Sequence, residues 1–288
     1  MEICDFAYYK PDTLAEACKL GKDLGPEARY LAGGTELLAD LKQQRDHTPH
    51  VISLAGIPDL DAIREQDGGL YIGATAKLQD IADSPLVKDA FPALSEAISM
   101  MAARQIRNRG SMGGNFCSGV PSADTPPIAI AGEASCVIAG PDGERRLPAE
   151  AFFLGPRKIA LSSGEVLTAI LIPKQPAGSG ACYQRFQLRQ ATALAVVGVA
   201  VRVVMKGDAI ASARVVLGAA APVPMLAADT NAWLEGQPGT EETFVQAGAK
   251  AAAEAKPISD LRGSADNRRD LVNSLTVRAL RDAVARAR

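Results

Sequence analysis

The sequence is short of histidine and has no paired cysteines, and each shortage removes a class of chemistry. Its two histidines, His47 and His50, fall within four residues of each other. No carboxylate or cysteine cluster stands beside them and no G-x-S-x-G string occurs, so neither a zinc site nor a His-based triad is supported. The cysteines, Cys4, Cys18, Cys117, Cys136 and Cys182, are scattered without a C-x-x-C pair, which removes the usual signatures for zinc and iron–sulfur ligation in this chain. Their odd count, with no basic-then-apolar leader in MEICDFAYYKPDT, predicts a chain working in a reducing cytoplasm. An excess of charge is also missing. Lys and Arg total 31 against 33 Asp and Glu, a net charge of -2, and so no electrostatic case exists for nucleic acid or an anionic membrane. Apolar runs such as Ala193 to Val204 are broken by Arg202 and are too short to span a bilayer. There is neither a G-x-G-x-x-G after a strand nor a G-x-x-x-x-G-K-[ST], which removes the Rossmann and P-loop readings.

What remains is an ordinary globular balance, 47% hydrophobic and 22% charged over 288 residues, enough for two or three subdomains. Thr13, with Glu16 three residues on, opens a short helix over LAEACKLGKDL as a capping box. ARYLA is a brief strand running into Gly33-Gly34, after which Thr35 caps a helix over ELLADLKQQR. HVISL and GLYIGATA read as strands. SPLVKDAFPALSEAISMMAARQIRN is helical, with one break near Pro92, and ends in GSMGGNFCSG, a loop too glycine-rich to continue the helix. Asp124, Pro126 and Pro127 mark a helix start. Pro141-Asp142-Gly143 is a hairpin turn between ASCVIAG and RRLPAEAFF, and EVLTAILIP is a strand. The segment Pro173 to Ala181 is rich in proline, glycine and serine and reads as a linker. Beyond it come strands over LAVVGVAVRVVM and AIASARVVLGAA, then helices over TEETFVQAGAKAAAEAK and ADNRRDLVNSLTVRALRDAVARAR.

Two double-glycine turns carry the chemistry. A strand that ends in Gly-Gly and hands over to a helix suits phosphate, because glycine lets backbone N–H groups approach an anion closely and the helix adds unpaired N–H groups. AGGTE at 32–36 has this form, although such a turn alone is more often just a tight bend. IRNRGSMGGNFCSGVPSADTPP is more informative. Ser111, Asn115 and Ser118 surround Gly113-Gly114, Arg107 and Arg109 precede it, and Asp124 follows. Amides, hydroxyls and an arginine suit a pyrophosphate, and a carboxylate suits the hydroxyls of a ribose or ribityl chain; the plainer alternative is an ordered loop in which Asp124 only caps a helix. Two such loops in one chain favour a dinucleotide held from two sides.

LAGGTELL, R-N-x-G-S-x-G-G-N…P-x-x-D in the second loop, EVLTAILIP and YQRFQLRQATALAVVGVAV together resemble the FAD-binding (medium) subunit of the molybdenum hydroxylase and xanthine dehydrogenase family, over nearly the whole chain. The resemblance implies an α+β fold: two FAD-binding subdomains of the vanillyl-alcohol-oxidase (PCMH) type, at 1–57 and 58–176. A C-terminal α+β domain like that of carbon monoxide dehydrogenase flavoprotein would follow at 177–288. It implies FAD in this chain, with Tyr30, Leu31, Ala32, Gly33, Gly34, Thr35, Glu36 and Leu37 lining the pyrophosphate and part of the flavin. Ser111, Met112, Gly113, Gly114 and Asn115 would form the second phosphate grip and Asp124 would meet the ribose. Leu167 falls where the family packs an apolar side chain on the cofactor, and Met101 where an aromatic can stack on adenine. Arg185 stands where some relatives carry lysine near the flavin, and Ala193-Leu194 where some carry Asp-Tyr. No general acid, base or metal ligand is assigned. The implied role is electron transfer: electrons arrive from [2Fe-2S] clusters of a small subunit, after substrate is oxidised at molybdopterin in a large subunit, and leave to an external acceptor. The expected assembly is a hetero-oligomer, a dimer of heterotrimers. The alternatives are a stand-alone flavin-dependent oxidoreductase and a non-enzymatic nucleotide-binding protein.

Overall fold

The computed structural model describes residues 5–189 and 193–288. Its first part holds β1 (Ala7–Tyr9), α1 (Leu14–Leu24), β2 (Ala28–Leu31), α2 (Leu37–Lys42) and β3 (His50–Ser53). The strands form a small parallel sheet in the order β1-β3-β2. Thr13 caps α1 as expected, accepting from the Glu16 N–H, while the Glu16 carboxylate takes the Asp12 N–H. α2 departs from expectation. It begins one residue after Glu36 and runs only to Lys42, and neither Thr35 nor Glu36 makes a side-chain cap.

The second part runs β4 (Ile63–Gln66), β5 (Gly69–Gly73), α3 (Leu78–Asp83), α4 (Pro85–Ala90), α5 (Pro92–Met100), α6 (Arg104–Arg107), α7 (Met112–Cys117) and α8 (Thr125–Ala131). It continues with β6 (Ser135–Gly140), β7 (Gly143–Pro148), β8 (Phe153–Gly155), β9 (Lys158–Ile159) and β10 (Val166–Ile172). A five-stranded antiparallel sheet, β4-β5-β10-β6-β7, packs against the helices. The GSMGGNFCSG segment is not a loop throughout, because Met112–Cys117 is helical. Ser111 caps α7 by accepting from the Gly114 N–H, and Met112 and Phe116 are buried in the core. Helix propensity argued against this turn, and burial of its two large side chains outweighed it.

The third part holds β11 (Ser179–Phe186), β12 (Val197–Lys206), β13 (Ala209–Gly218), β14 (Met225–Leu226), α9 (Ala228–Leu234), α10 (Glu241–Glu254) and α11 (Ala265–Ala287). β11 starts inside the stretch read as a linker, and Gly180 lies so close to α11 that an added Cβ would stand 2.0 Å from the Ala283 carbonyl oxygen. β12 is covered on both faces. Val197, Val199, Val201 and Val203 lie in one apolar cluster with α11 and, beyond it, α10, while Ala200 joins the core of the second part. The two-residue period of β11 does the same: Cys182 turns toward α11, and Tyr183 and Arg185 turn toward the second part.

Candidate functional site

The two double-glycine turns lie against each other. A Cβ added to Gly33 would stand 1.8 Å from the Arg109 carbonyl oxygen and 3.0 Å from the Gly110 Cα. Gly34 takes the left-handed conformation, with φ +76. The sequence therefore needs both glycines, for two different reasons: one for close approach and one for backbone turn.

The two turns use their N–H groups differently. None of the backbone N–H groups from Gly33 to Leu37 has an acceptor among the described residues. In the second loop these groups are consumed internally. Met112 donates to the Ala76 carbonyl, Gly113 to Ala74, Gly114 to the Ser111 hydroxyl and Asn115 to the Ser111 carbonyl. Gly113 is glycine because a Cβ there would stand 2.5 Å from Ala74. Greater specificity was expected of Gly113-Gly114, yet the free donors belong to the first turn. The second loop contributes the Arg109 guanidinium, which is exposed and has no acidic partner among the described residues. Five N–H groups without an acceptor among the described residues, packed against the backbone of a loop that carries Arg109, make a donor set suited to a diphosphate, and the cofactor expected from sequence carries one.

A buried polar cluster follows the second loop in the chain. Asp124 accepts from the Tyr183 hydroxyl at 2.9 Å and from Arg185 Nη1 at 3.0 Å. The side chains of Arg185 and Asp124 are 3% and 8% exposed. Burial pushes the Asp124 carboxyl up from its ordinary range, opposed by the Arg185 charge and the Tyr183 hydroxyl. Burial likewise raises the Tyr183 phenol. Arg185 also donates to the Ala193 carbonyl at 2.6 Å, and its buried Nε has no partner. Asp124 makes no side-chain cap to α8. Asn115 does that work, its Oδ1 accepting from the Thr125 N–H and hydroxyl.

Other residues expected at the site are placed as follows. The Tyr30 hydroxyl points back to α1 and donates to the Ala17 carbonyl, so only its backbone runs toward the glycine turn. Leu31, Ala32 and Leu37 are half-buried, and Thr35 and Glu36 are exposed. Met112 and Leu167 belong to the apolar core of the second part, as does Met101, whose carbonyl accepts from Arg107. Leu194 is exposed.

Sequence reasoning missed Arg157, which sits in the Gly155-Pro156-Arg157-Lys158 turn between β8 and β9. Its Nη2 meets Glu36 at 3.0 Å and its Nη1 meets Asp40 at 2.7 Å, while its N–H donates to the Gly119 carbonyl at 2.8 Å. A basic residue in a tight turn carries no signal in sequence; only the fold brings Arg157 to α2.

The chain belongs to the family of FAD-binding subunits of molybdopterin dehydrogenases. A model described as the FAD binding domain in molybdopterin dehydrogenase matches residues 4–175, and one described as the CO dehydrogenase flavoprotein C-terminal domain matches residues 181–283. The sequence is 37% identical to the carbon monoxide dehydrogenase medium chain of Hydrogenophaga pseudoflava, over 98% of both chains. It is 30% identical to a putative xanthine dehydrogenase FAD-binding subunit of Escherichia coli strain K12, again over 98% of both. Among solved structures, a chain of the H. pseudoflava carbon monoxide dehydrogenase superposes with a TM-score of 0.96 at 36% identity, covering 99% of each chain. A chain of quinoline 2-oxidoreductase from Pseudomonas putida 86 gives 0.94 at 29% identity, covering 100% of this chain and 99% of that one. The α+β fold expected from sequence, an FAD-binding unit followed by a C-terminal domain of the carbon monoxide dehydrogenase type, is the fold observed. Among the described residues no helix is long and apolar enough to cross a membrane, and no group of metal-ligating side chains is assembled.

Proposed function

We propose that this chain is the FAD-binding, electron-transfer subunit of a multi-subunit molybdenum hydroxylase. The observation that carries the reading is the run of unpaired N–H groups from Gly33 to Leu37, held against the second loop and its free Arg109. In this reading those amides and Arg109 hold the pyrophosphate, and the Ser111 O–H and the Asn115 amide border it. The Asp124 carboxylate, fixed by Tyr183 and Arg185, keeps a lone pair for a ribose hydroxyl. Glu36 and Arg185 shape the electrostatics beside the flavin. Met101 and Leu167 supply apolar contact from the core behind the cofactor, with no aromatic surface for adenine at Met101. When bound, FAD accepts electrons from the [2Fe-2S] clusters of a small subunit and yields them to an external acceptor; the chain's contribution is binding, orientation and tuning.

The partners are the small iron–sulfur subunit and the large molybdopterin subunit, arranged as a dimer of heterotrimers in the cytoplasm. The described cysteines Cys18, Cys117, Cys136 and Cys182 are all free thiols, in keeping with that compartment. We divide the chain at 1–57, 58–176 and 177–288; each part centres on its own apolar cluster, with Leu60 and Val166 of the second part completing the first cluster and Tyr183, Ala200 and Val216 of the third completing the second.

The test is purification of the native assembly, followed by flavin, iron and molybdenum analysis of each polypeptide. The expected result is one FAD per copy of this chain and co-purifying iron–sulfur and molybdopterin subunits. A well-folded chain that retains no flavin on gel filtration after incubation with FAD would overturn the reading. A flavin-loaded chain with no partners would point instead to a stand-alone oxidoreductase.

A further inference from the structure

Arg157 stands at a backbone position where arginine is a poor choice. Its φ is +58, and it occupies the third position of the Gly155-Pro156-Arg157-Lys158 turn, where a left-handed residue is required after proline and glycine is favoured. Six other described non-glycine residues, Ala102 and Ala219 among them, are also left-handed, so the conformation only raises the question of what this side chain does. The contacts say what. The guanidinium reaches across 121 and 117 residues of sequence to Glu36 and Asp40, at the start and on the buried side of α2. The backbone of the same residue is tied to the end of the second loop through the Gly119 carbonyl. Gly119 is itself left-handed, and an added Cβ would stand 2.9 Å from the Arg157 Cα. One residue therefore joins the helix that follows the first glycine turn to the loop that carries the second.

We propose that Arg157 is a positioning residue for FAD, clasping Glu36 and Asp40 so that the Gly33–Leu37 amides stay in register with the second loop. The proposal rests on the FAD reading above. Arg157 acts on the protein, through Glu36, Asp40 and the Gly119 carbonyl. It fixes the separation between the two halves of the cradle, and a displacement of about 1 Å in such a donor set is enough to weaken binding severely. It also fixes the Glu36 carboxylate in place, through its Oε1 contact with Arg157.

The test uses the full-length chain with Arg157→Gly and Arg157→Lys, measuring the FAD dissociation constant by flavin fluorescence and the melting temperature of the FAD-free chain. Glycine suits the left-handed turn, and this relief opposes the loss of a half-exposed ion pair to Glu36 and of one of two pairs to the buried Asp40. Asp40 keeps Arg45 at 3.4 Å. The FAD-free Arg157→Gly chain should accordingly melt within about 3 °C of wild type, while its FAD dissociation constant rises roughly tenfold or more. Lysine, a single point charge, can hold only one of the two carboxylates, so Arg157→Lys should fall between Arg157→Gly and wild type. An FAD affinity for Arg157→Gly within twofold of wild type would overturn the clasp and leave the FAD reading standing. So would a loss of affinity that merely follows a fall in melting temperature and is not recovered by lysine. Failure of the wild-type chain to bind FAD would remove both.

Discussion

Replacing Gly33 with alanine tests the cradle at its tightest point. Gly33 is not in the left-handed region, so the substitution carries no backbone penalty; its whole effect is steric. The new methyl would stand 1.8 Å from the Arg109 carbonyl oxygen and 2.6 Å from its carbon. Both are main-chain atoms that cannot rotate away, so the two turns must part by more than an ångström. Overpacking of this kind costs about 1–3 kcal/mol. The separation also displaces the unpaired amides from Arg109, and each 1.4 kcal/mol lost from the cofactor contacts is about tenfold in affinity. We expect Gly33→Ala to bind FAD at least about tenfold more weakly and to purify with substoichiometric flavin. Calorimetric titration of FAD into the apo chain measures the first, and the ratio of flavin to protein absorbance measures the second. Gly155→Ala is the matched control, since its Cβ would meet nothing nearer than Lys158 at 3.9 Å. A Gly33→Ala chain with wild-type affinity and full flavin content would refute the steric argument and the joining of the two turns on which it depends.

Arg185→Met should cost about 3–5 kcal/mol, because it leaves the Asp124 carboxylate buried without its cation; Asp124→Asn combined with Arg185→Met should recover part of that loss. Denaturant unfolding of the two single variants and the double variant measures the coupling, and a single-variant loss below about 1 kcal/mol would contradict the buried pair. The Glu165 carboxyl is held below its usual range chiefly by the Arg145 guanidinium, with the Ser162 N–H assisting. A depressed carboxyl stabilises the fold above its unfolded value of 4.5 and loses that contribution as the pH falls through the lower folded value. Glu165→Gln should therefore be less stable than wild type near neutrality, with the gap closing in acid. A gap independent of pH in paired unfolding curves would contradict this assignment.

The parts of the fold that could be read from sequence are those where local chemistry and tertiary structure agree. Thr13 with Glu16 specified the cap of α1, and Pro141-Asp142-Gly143 specified the hairpin between β6 and β7, whose closing pair is Gly140 and Gly143. The paired glycine turns were visible because positive φ and close approach both leave glycine in the sequence. α7 was invisible, because it exists through the burial of Met112 and Phe116 and the contact of Gly113 with Ala74, all of them non-local. The supposed linker failed for the same reason. Gly180 is there to let β11 lie on the backbone of α11, and a glycine that makes room looks in sequence like one that loosens a chain. Asp124 was found from its motif, but Tyr183 as its donor was not, since the two are 59 residues apart.

The apolar cluster beneath the small parallel sheet has an implication for synthesis of the chain. Its buried members are Ala17, Cys18, Ile52, Leu54, Ile57, Leu60 and Val166, with Ala139 packed against them. All but two of these are made early, but β10, which brings Val166, is the last strand of the five-stranded sheet to leave the ribosome. At about 5–20 residues per second, the N-terminal sheet waits roughly 5–20 s with one side of its core uncovered. The segment bearing the first glycine turn is thus translated first and completed late, and a nascent chain arrested before β10 should leave residues 5–57 open to protease.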